Sequence, residues 1–169
     1  MAQLSGSKTE KNLQEAFAGE SQANRTYLAF AQKAEQDGYP QVAKLFRAAA
    51  EAETIHAHAH LKALQGIKGT AENLKQAIGG ETHEFMEMYP QMIEDAEQEG
   101  LQEALRSFRY ANQVEKVHAS LYQRALDTLG KNAPADYFIC KVCGNTVEGE
   151  PHEACDVCGA GVQAFYPVA

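Results

Sequence analysis

Glu53-Thr54-Ile55-His56 recurs 62 residues later as Glu115-Lys116-Val117-His118. In each copy a carboxylate and an imidazole are three residues apart within a helical pattern, so both project from one face of the helix. One such pair is half of a metal clamp, although a single Glu-x-x-His motif often arises by chance in a Glu-rich helix. Two copies in register are a much stronger signal, and the fold predicted here depends on them.

Apolar residues recur at helical spacing over four long segments, which predicts four helices. The first segment opens with a capping box in which Ser7 and Glu10 satisfy free backbone N–H groups. Glycines close the segments, as is common at helix ends. The first helix is bounded by Ser7 and Gly38, the second by Pro40 and Gly66, and the fourth by Leu101 and Gly130, while the third begins at Thr70.

The helical region consists of two similar halves. Ala34-Glu35-Gln36-Asp37-Gly38 aligns with Ala96-Glu97-Gln98-Glu99-Gly100 at the same offset, as Phe46-Arg47 does with Phe108-Arg109. A duplicated helical hairpin predicts a four-helix bundle with a long crossover between helices two and three. The inward polar groups of such a bundle converge at its centre.

The second half contains one additional residue. Glu20 is seven residues before Tyr27, whereas Glu81 is eight residues before Tyr89. The third helix therefore has to accommodate an extra residue, and we expect a π-bulge near Pro90.

Acidic and imidazole side chains interrupt the inward stripe that elsewhere holds Phe, Leu and Met. One Glu from each of two helices and Glu-x-x-His from the other two form the ligand set of a di-metal carboxylate site. Hard oxygen donors suit iron or manganese, and bridging carboxylates hold two ions close together. The alternative is that these residues are solvated charges on ordinary amphipathic helices. That alternative explains any one of them well, but it does not explain why all of them fall on the inward stripe. The predicted ligands are Glu20, Glu53, His56, Glu81, Glu115 and His118.

All four cysteines fall in the last 30 residues, as Cys140-Lys141-Val142-Cys143 and Cys155-Asp156-Val157-Cys158. After the linker at 131–136 the helical period is absent, so we predict a helical domain at 1–134 and a small β-ribbon domain at 135–169. Four thiolates at this spacing bind one tetrahedral ion. The pattern alone fits structural zinc, but beside a redox bundle an iron that changes by one electron has a use that zinc lacks.

The net charge is −8, from 23 acidic and 15 basic residues. This charge opposes binding to nucleic acid and to anionic membranes, because both carry the same sign. The N-terminal residues lack the basic start and apolar run of a signal peptide, and no apolar stretch approaches the roughly 20 residues of a membrane span. We therefore expect a cytoplasmic protein with reduced thiols.

Together these motifs resemble the rubrerythrins. The resemblance rests on Glu20, both Glu-x-x-His pairs, the run Gly80-Glu81-Thr82-His83-Glu84 with Glu87-Met88-Tyr89-Pro90, and the cysteine pairs, and it covers nearly the whole chain. It implies a ferritin-like bundle that holds an oxo- and carboxylate-bridged di-iron centre. It also implies a rubredoxin-like domain with one iron on Cys140, Cys143, Cys155 and Cys158, which zinc can replace in recombinant protein.

The resemblance implies roles for further residues. Glu84 becomes a ligand beside Glu81, and one iron shifts between Glu84 and His56 when its oxidation state changes. Five carboxylates outweigh the charge of two ferrous ions but not of two ferric ions, so a carboxylate should leave on reduction. Tyr27 and Tyr89 would donate hydrogen bonds to the carboxylates; the alternative for both is core packing. The implied catalytic set therefore consists of Glu84, as the proton relay, with His56, Tyr27 and Tyr89.

The implied activity is that of a non-haem di-iron peroxidase, which reduces hydrogen peroxide to water in oxidative-stress defence. Electrons would come from rubredoxin or an NADH-dependent flavoprotein reductase and pass through the thiolate-bound iron. A head-to-tail homodimer would pass them between subunits if the linker held that iron far from the bundle centre. Two alternatives stay open: a ferritin-like ferroxidase, which gives no reason for the thiolates, and a zinc-ribbon interaction scaffold, which leaves the carboxylates without a role.

Overall fold

The computed structural model describes residues 4–168, and it confirms a mainly helical chain that ends in a small strand region. The chain divides into two compact units, with the boundary between Lys68 and Gly69. Within the described residues, no helix is both long and apolar enough to cross a bilayer. The helices are α1 (Lys8–Gln36), α2 (Pro40–Ala63), α3 (Thr70–His83), a π-helix (Glu84–Met88), α4 (Tyr89–Glu99) and α5 (Gln102–Asp127).

The predicted Ser7 cap at the start of α1 is confirmed, but the reciprocal bond from Glu10 goes to the Gly6 N–H and not to the Ser7 N–H, which bonds to the Leu4 carbonyl. The Ser7 hydroxyl accepts a hydrogen bond from the Glu10 N–H at 3.0 Å, and the Glu10 carboxylate accepts one from the Gly6 N–H at 2.6 Å. The helix ends where Gly38 adopts a φ of +81° and the Tyr39 N–H bonds to the Ala34 carbonyl at 2.8 Å. This αL termination turns the chain directly into α2.

The first unit is the α1–α2 hairpin, whose helices pack through small side chains. Ala31, Ala34 and Ala43 form its buried cluster, with Phe46 packed against them. Asn24 is also buried, and its amide donates a hydrogen bond across the hairpin to the Ala50 carbonyl of α2. Small residues let the two backbones approach closely, so each helix holds the other in a fixed register.

The second unit repeats the local contacts of the first. The Arg47–Glu35 ion pair, at 2.9 Å, has its counterpart in Arg109–Glu97. The rings of Tyr27 and Phe46 are 6.1 Å apart, and those of Tyr89 and Phe108 are 6.3 Å apart. The helix before α5 also ends on a positive-φ glycine, Gly100. The sequence repeat is therefore a repeat of structure within each unit.

The extra residue of the second half forms a π-helix, as predicted. It covers Glu84–Met88, and the Tyr89 N–H bonds to the Glu84 carbonyl five residues earlier. Pro90 lies in the first turn of α4, directly after the π-helix. The π-turn absorbs the insertion, so that Tyr89 can pack on Phe108 as Tyr27 packs on Phe46.

The C-terminal ribbon is a three-stranded antiparallel sheet in the order β2-β1-β3. Both Cys-x-x-Cys turns end in a glycine with positive φ, Gly144 at +82° and Gly159 at +74°. In each turn the glycine N–H bonds to the carbonyl of the first cysteine at 2.8 Å. The strands are β1 (Tyr137–Cys140), β2 (Thr146–Glu148) and β3 (Phe165–Pro167), with a 3₁₀ turn at Val162–Ala164.

Candidate metal centres

The first unit brings Glu20 of α1 to Glu53 and His56 of α2, and we call these three residues the first half-site. Their potential ligand atoms all lie within 4.8 Å of one another. His56 Nδ1 is 2.9 Å from Glu53 Oε2 and 3.9 Å from Glu20 Oε1. The Glu-x-x-His spacing on α2 produces this geometry, because residues three apart share a helix face.

The two carboxylates of the first half-site compete for one proton. A hydrogen bond between them raises the pKa of Glu20 and lowers the pKa of Glu53, which also accepts from His56. Like charges that face each other at hydrogen-bond distance favour sharing either a proton or a cation. The two facing carboxylates of the first half-site therefore favour a bound cation, and without one they favour a shared proton.

Glu81 of α3 meets Glu115 and His118 of α5 in the second unit, and these residues form the second half-site. Their ligand atoms also lie within 4.8 Å of one another. His118 Nδ1 is 2.7 Å from Glu115 Oε2 and 4.0 Å from Glu81 Oε1. Burial raises the pKa of Glu81 to about 7, with further contributions from its hydrogen bond to Glu115 and the charges of Glu115 and Glu84.

Two tyrosines face the second half-site. Burial and the charges of Glu115, Glu84 and Glu81 raise the pKa of Tyr89. The same kinds of effect, from burial, Glu81 and Glu115, raise the pKa of Tyr122. Tyr122 had no predicted role, although it follows Glu115 by seven residues and so lies on the same face of α5.

Two other residues with predicted roles, Glu84 and Tyr27, are not among the clustered ligand residues. Glu84 begins the π-helix and acts on Glu81 and Tyr89 through its charge, but in residues 4–168 it is outside the groups of clustered ligand atoms. Tyr27 packs its ring on Phe46. The proposed roles of Glu84 as a ligand and Tyr27 as a hydrogen-bond donor therefore stay predictions.

The donors of both half-sites fit iron. Each unit supplies two carboxylates and one imidazole nitrogen, a hard oxygen-rich set with the composition that di-iron proteins use. Each set is preorganised by its own helix hairpin. The predicted ligands thus meet in two groups of three, one in each unit.

The four cysteines form a third cluster, which we call the tetrathiolate site. Their sulfur atoms lie within 4.8 Å of one another, and Cys140–Cys158 and Cys143–Cys155 are 3.7 and 3.5 Å apart. A tetrahedron with metal–sulfur bonds of about 2.3 Å has sulfur–sulfur edges of about 3.8 Å. The free thiols are therefore already arranged for one tetrahedral ion.

Backbone and amide N–H groups point at these sulfurs. Burial opposes ionisation of Cys155, but the backbone N–H groups of Cys158 and Val157 outweigh it and lower its pKa to about 7. The Asn145 amide also lies 3.7 Å from Cys155 Sγ. Burial raises the pKa of Cys143. One thiolate is thus prepared for metal binding, and hydrogen bonds of this kind tune the potential of an iron–sulfur centre.

The model of the rubrerythrin family matches residues 11–126, which is more than half of the chain. The chain belongs to the rubrerythrin family. Rubrerythrin-2 of Clostridium acetobutylicum is 37% identical over 170 residues, covering 90% of this chain and 92% of the relative. Nigerythrin of Nitratidesulfovibrio vulgaris is 35% identical, covering 89% and 81%.

Solved structures of nigerythrin resemble this rubrerythrin over nearly its full length. Nigerythrin in a fully reduced, all-ferrous state is 32% identical, with a TM-score of 0.58 over 97% of this chain and 88% of the nigerythrin chain. A mixed-valence state gives a TM-score of 0.57 over the same shares. This rubrerythrin therefore carries the Glu and His residues of a di-iron protein and the four-cysteine cluster of a rubredoxin-type iron site.

A contact that the sequence did not reveal links the ribbon of this rubrerythrin to the second half-site. His118 Nε2 lies 2.9 Å from Thr146 Oγ1 on β2, while Nδ1 of the same ring faces Glu115. Arg124 of α5 and Glu148 of β2 add an ion pair at 2.6 Å. No local sequence pattern marks Thr146, because its contact with His118 forms only when β2 packs against α5.

Proposed function

We propose that this rubrerythrin is a peroxidase that reduces hydrogen peroxide to two waters, using two electrons and two protons. The observation that carries the proposal is the combination of two carboxylate–imidazole half-sites with a tetrathiolate site in one chain. A ferroxidase has no use for four thiolates docked beside a half-site. A zinc-ribbon scaffold has no use for paired carboxylates. Bound iron supplies the redox chemistry, with the bundle pair as the two-electron centre and the thiolate-bound iron as the one-electron carrier.

In this proposal the half-sites, Glu84 and Tyr89 have separate functions. The two half-sites hold one ion each, and in the proposed four-helix bundle of residues 1–134 they converge on a common centre. Glu84 would carry protons to the departing oxygen, because it begins the π-helix and its charge acts on Glu81 and Tyr89. The Tyr89 hydroxyl would donate a hydrogen bond to the site carboxylates, whose charges and whose burial together raise its pKa.

The proposed setting is the reducing cytoplasm, which suits four free cysteines. The proposed electron donor is a rubredoxin or an NADH-dependent flavoprotein reductase. The proposed assembly is a homodimer, and two large apolar side chains on α2 support it: Leu45 is 68% exposed and Ile55 is 69% exposed. A partner that covered these side chains would remove their cost in water.

Metal analysis and a visible spectrum of anaerobically purified protein test the proposal. We expect about three irons per chain, two from a bundle site of this ligand set and one from the thiolates. Ferric-thiolate absorption should bleach with reductant and return with hydrogen peroxide. A colourless protein with one zinc and no bundle metal would contradict the proposal, and a mineral core in a large cage would favour the ferroxidase.

Glu84→Ala tests the assignment of the proton relay. We expect the variant to keep its fold and most of its metal but to lose peroxide turnover by roughly 100-fold, the scale of a missing general acid. Glu87→Ala is the matched control, because Glu87 lies on the same π-helix and is exposed. Normal turnover in Glu84→Ala would show that protons reach the site by another path.

A further inference from the structure

The two cysteine turns of the ribbon, at 140–145 and 155–160, share a pattern of backbone hydrogen bonds. In the first turn the Cys140 N–H donates to the Asn145 carbonyl at 2.9 Å, and in the second turn the Cys155 N–H donates to the Ala160 carbonyl at 2.8 Å. Asn145 and Ala160 therefore occupy equivalent positions, each directly after the glycine of its turn. The chemical difference between these two positions is the amide side chain of Asn145.

The Asn145 side chain reaches from the first cysteine turn to the second. Its amide nitrogen is 3.7 Å from Cys155 Sγ, a hydrogen-bond distance for the large sulfur atom. Only 4% of Asn145 is exposed, so water does not compete freely for this contact. The side chain of Ala160 has no donor to offer in return. The Asn145 amide therefore gives Cys155 a hydrogen bond that the repeated backbone pattern does not provide.

The two ends of the Asn145 amide have different surroundings. Within residues 4–168 the buried Oδ1 has no hydrogen-bond partner, so the contact of Nδ2 with sulfur is the one that orients the amide. A thiolate accepts hydrogen bonds and an amide oxygen also accepts them, so a reversed amide would place two acceptors against each other. Nδ2–H therefore donates to Cys155 Sγ.

Asn145 also contacts a sulfur of its own turn. Burial raises the pKa of Cys143, and a hydrogen bond from the Asn145 backbone N–H opposes that rise. In the second turn burial likewise raises the pKa of Cys158, and the Ala160 backbone N–H opposes it. Asn145 thus donates to one sulfur of each turn, to Cys143 through its backbone and to Cys155 through its side chain.

Hydrogen bonds to sulfur favour the reduced state of an iron bound by four thiolates. With a ferrous ion the four thiolates of this site carry a net charge of two minus, and with a ferric ion the net charge is one minus. The sulfurs therefore hold more negative charge in the ferrous state, and an N–H group that points at them stabilises that state more. For this reason hydrogen bonds to the sulfurs help to set the potential of such sites.

We propose that Asn145 is a positioning residue that raises the reduction potential of the thiolate-bound iron through its side-chain hydrogen bond to Cys155. The bond holds the Cys155 sulfur toward the first turn and stabilises the additional negative charge of the ferrous site. The proposal depends on iron at the four cysteines and not on the oxidant that the protein reduces. Its failure would therefore leave the proposed peroxidase function intact.

Spectroelectrochemistry of the iron-loaded full chain tests the proposal with Asn145→Leu. Ferric-thiolate absorption measures the oxidised fraction while a mediator supplies one electron to each thiolate-bound ferric ion. Leucine has a similar size to asparagine but has no N–H group. At a fixed potential we expect the ferrous-to-ferric ratio to fall by roughly 3- to 10-fold, the scale of one hydrogen bond. A tenfold change corresponds to about 59 mV for a one-electron couple.

The sign of the change distinguishes a lost hydrogen bond from a site opened to solvent. Water that reached the sulfurs would stabilise the more highly charged ferrous state and raise the ferrous-to-ferric ratio. A ratio that rose or stayed unchanged in Asn145→Leu would therefore overturn the proposal. If leucine prevents folding, Asn145→Ala carries the test with the same expected direction, because the second turn already holds alanine at the equivalent position.

Gln163→Met is the matched control. It removes an exposed amide from the 3₁₀ turn of the same ribbon and should leave the ratio unaltered. An equal fall in Gln163→Met would show that the loss of any amide from the ribbon lowers the potential, which would overturn the assignment to Asn145.

Nuclear magnetic resonance of the cadmium-113-loaded chain provides a readout without iron or activity. An N–H group that donates to a ligating sulfur can show scalar coupling to the metal nucleus, so the backbone N–H groups of Asn145 and Ala160 serve as internal standards. We expect a further coupling to the Asn145 side-chain amide, and we expect Asn145→Leu to remove it while the backbone couplings stay. Backbone couplings in wild type without the side-chain coupling would show that the bond is not made and would overturn the proposal.

Discussion

Folding of the metal-free chain changes the protonation of Glu81. Burial raises the pKa of its carboxyl from 4.5 to about 7. Between these values the folded chain holds a proton that the unfolded chain has released. This contribution to stability is therefore complete below about pH 4.5 and is lost as the pH rises through 7.

We expect Glu81→Gln to remove this pH dependence, because glutamine has a similar shape and no proton to lose. The melting temperature of metal-free Glu81→Gln, relative to wild type, should rise as the pH increases from 5 to 8. Thermal unfolding followed by circular dichroism measures it, with the exposed Glu87→Gln as control. A difference that stays constant with pH would show that Glu81 has an ordinary pKa in the folded chain.

At the residue scale, the sequence predicted which side chains cluster but not every neighbour. The Glu-x-x-His and Cys-x-x-Cys spacings are local, so the six bundle residues and four cysteines could be named before any coordinates. Tyr122 could have been found from its heptad spacing to Glu115. Thr146 could not, because its contact with His118 crosses 28 residues and depends on how β2 docks.

The α1–α2 hairpin depends on one buried polar side chain. The Asn24 amide donates to the Ala50 carbonyl at 2.7 Å and to the Thr54 hydroxyl at 2.8 Å. Only 8% of Asn24 is exposed, so water cannot replace these partners. Asn24 thereby fixes the position of α1 along α2, and with it the distance from Glu20 to Glu53.

We expect Asn24→Ala to lower the free energy of unfolding by about 1–3 kcal/mol, the range for a lost buried hydrogen bond with an unsatisfied partner. Chemical denaturation of the metal-free protein measures this loss. Arg25→Ala is a control on the same helix, since Arg25 is exposed. Equal destabilisation by both changes would mean that the loss comes from helix propensity and not from the cross-hairpin bonds.

At the element scale, helix positions followed from periodicity and the π-helix followed from counting. Seven residues from Glu20 to Tyr27 against eight from Glu81 to Tyr89 required a lengthened turn, and the structure has it at Glu84–Met88. The ion pairs of Arg47 and Arg109 were not predicted. Exposed pairs of this kind leave no periodic signal, because either partner alone is an ordinary surface charge.

The C-terminal ribbon has little apolar core of its own. Its strands contain three or four residues each, and Cys140 and Cys155 are among its few buried side chains. A bound ion supplies much of the folding free energy in modules of this size. A metal ion bound by the four cysteines would therefore stabilise the ribbon, and with it the contact between Thr146 and His118.

We expect removal of the tetrathiolate metal to unfold the ribbon and to leave the helices intact. Hydrogen exchange should show loss of protection at 137–167 with α1 and α5 unchanged. Cys155→Ser should give the same result without a chelator, while Ser120→Ala on α5 serves as a control. Strands that stay protected after metal removal would show that the ribbon folds on apolar contacts alone.

For the whole molecule, the sequence predicted the family, the mainly helical fold and the C-terminal cysteine module. Local patterns carried these predictions, because capping, periodicity and cysteine spacing act over a few residues. The association of the two hairpins is a different problem. A helical stripe shows which face is covered but not by which partner, so the convergence of the half-sites stays a prediction at this scale.

The π-helix makes the two halves of the chain chemically unequal. The second hairpin contains Glu84, while the aligned positions of the first, Gln22 and Ala23, have no acidic group. Two iron nuclei bound to such halves would experience different electric field gradients. A Mössbauer spectrum of the iron-loaded bundle should therefore resolve two quadrupole doublets of equal area. The additional residue would be visible as the difference between their quadrupole splittings.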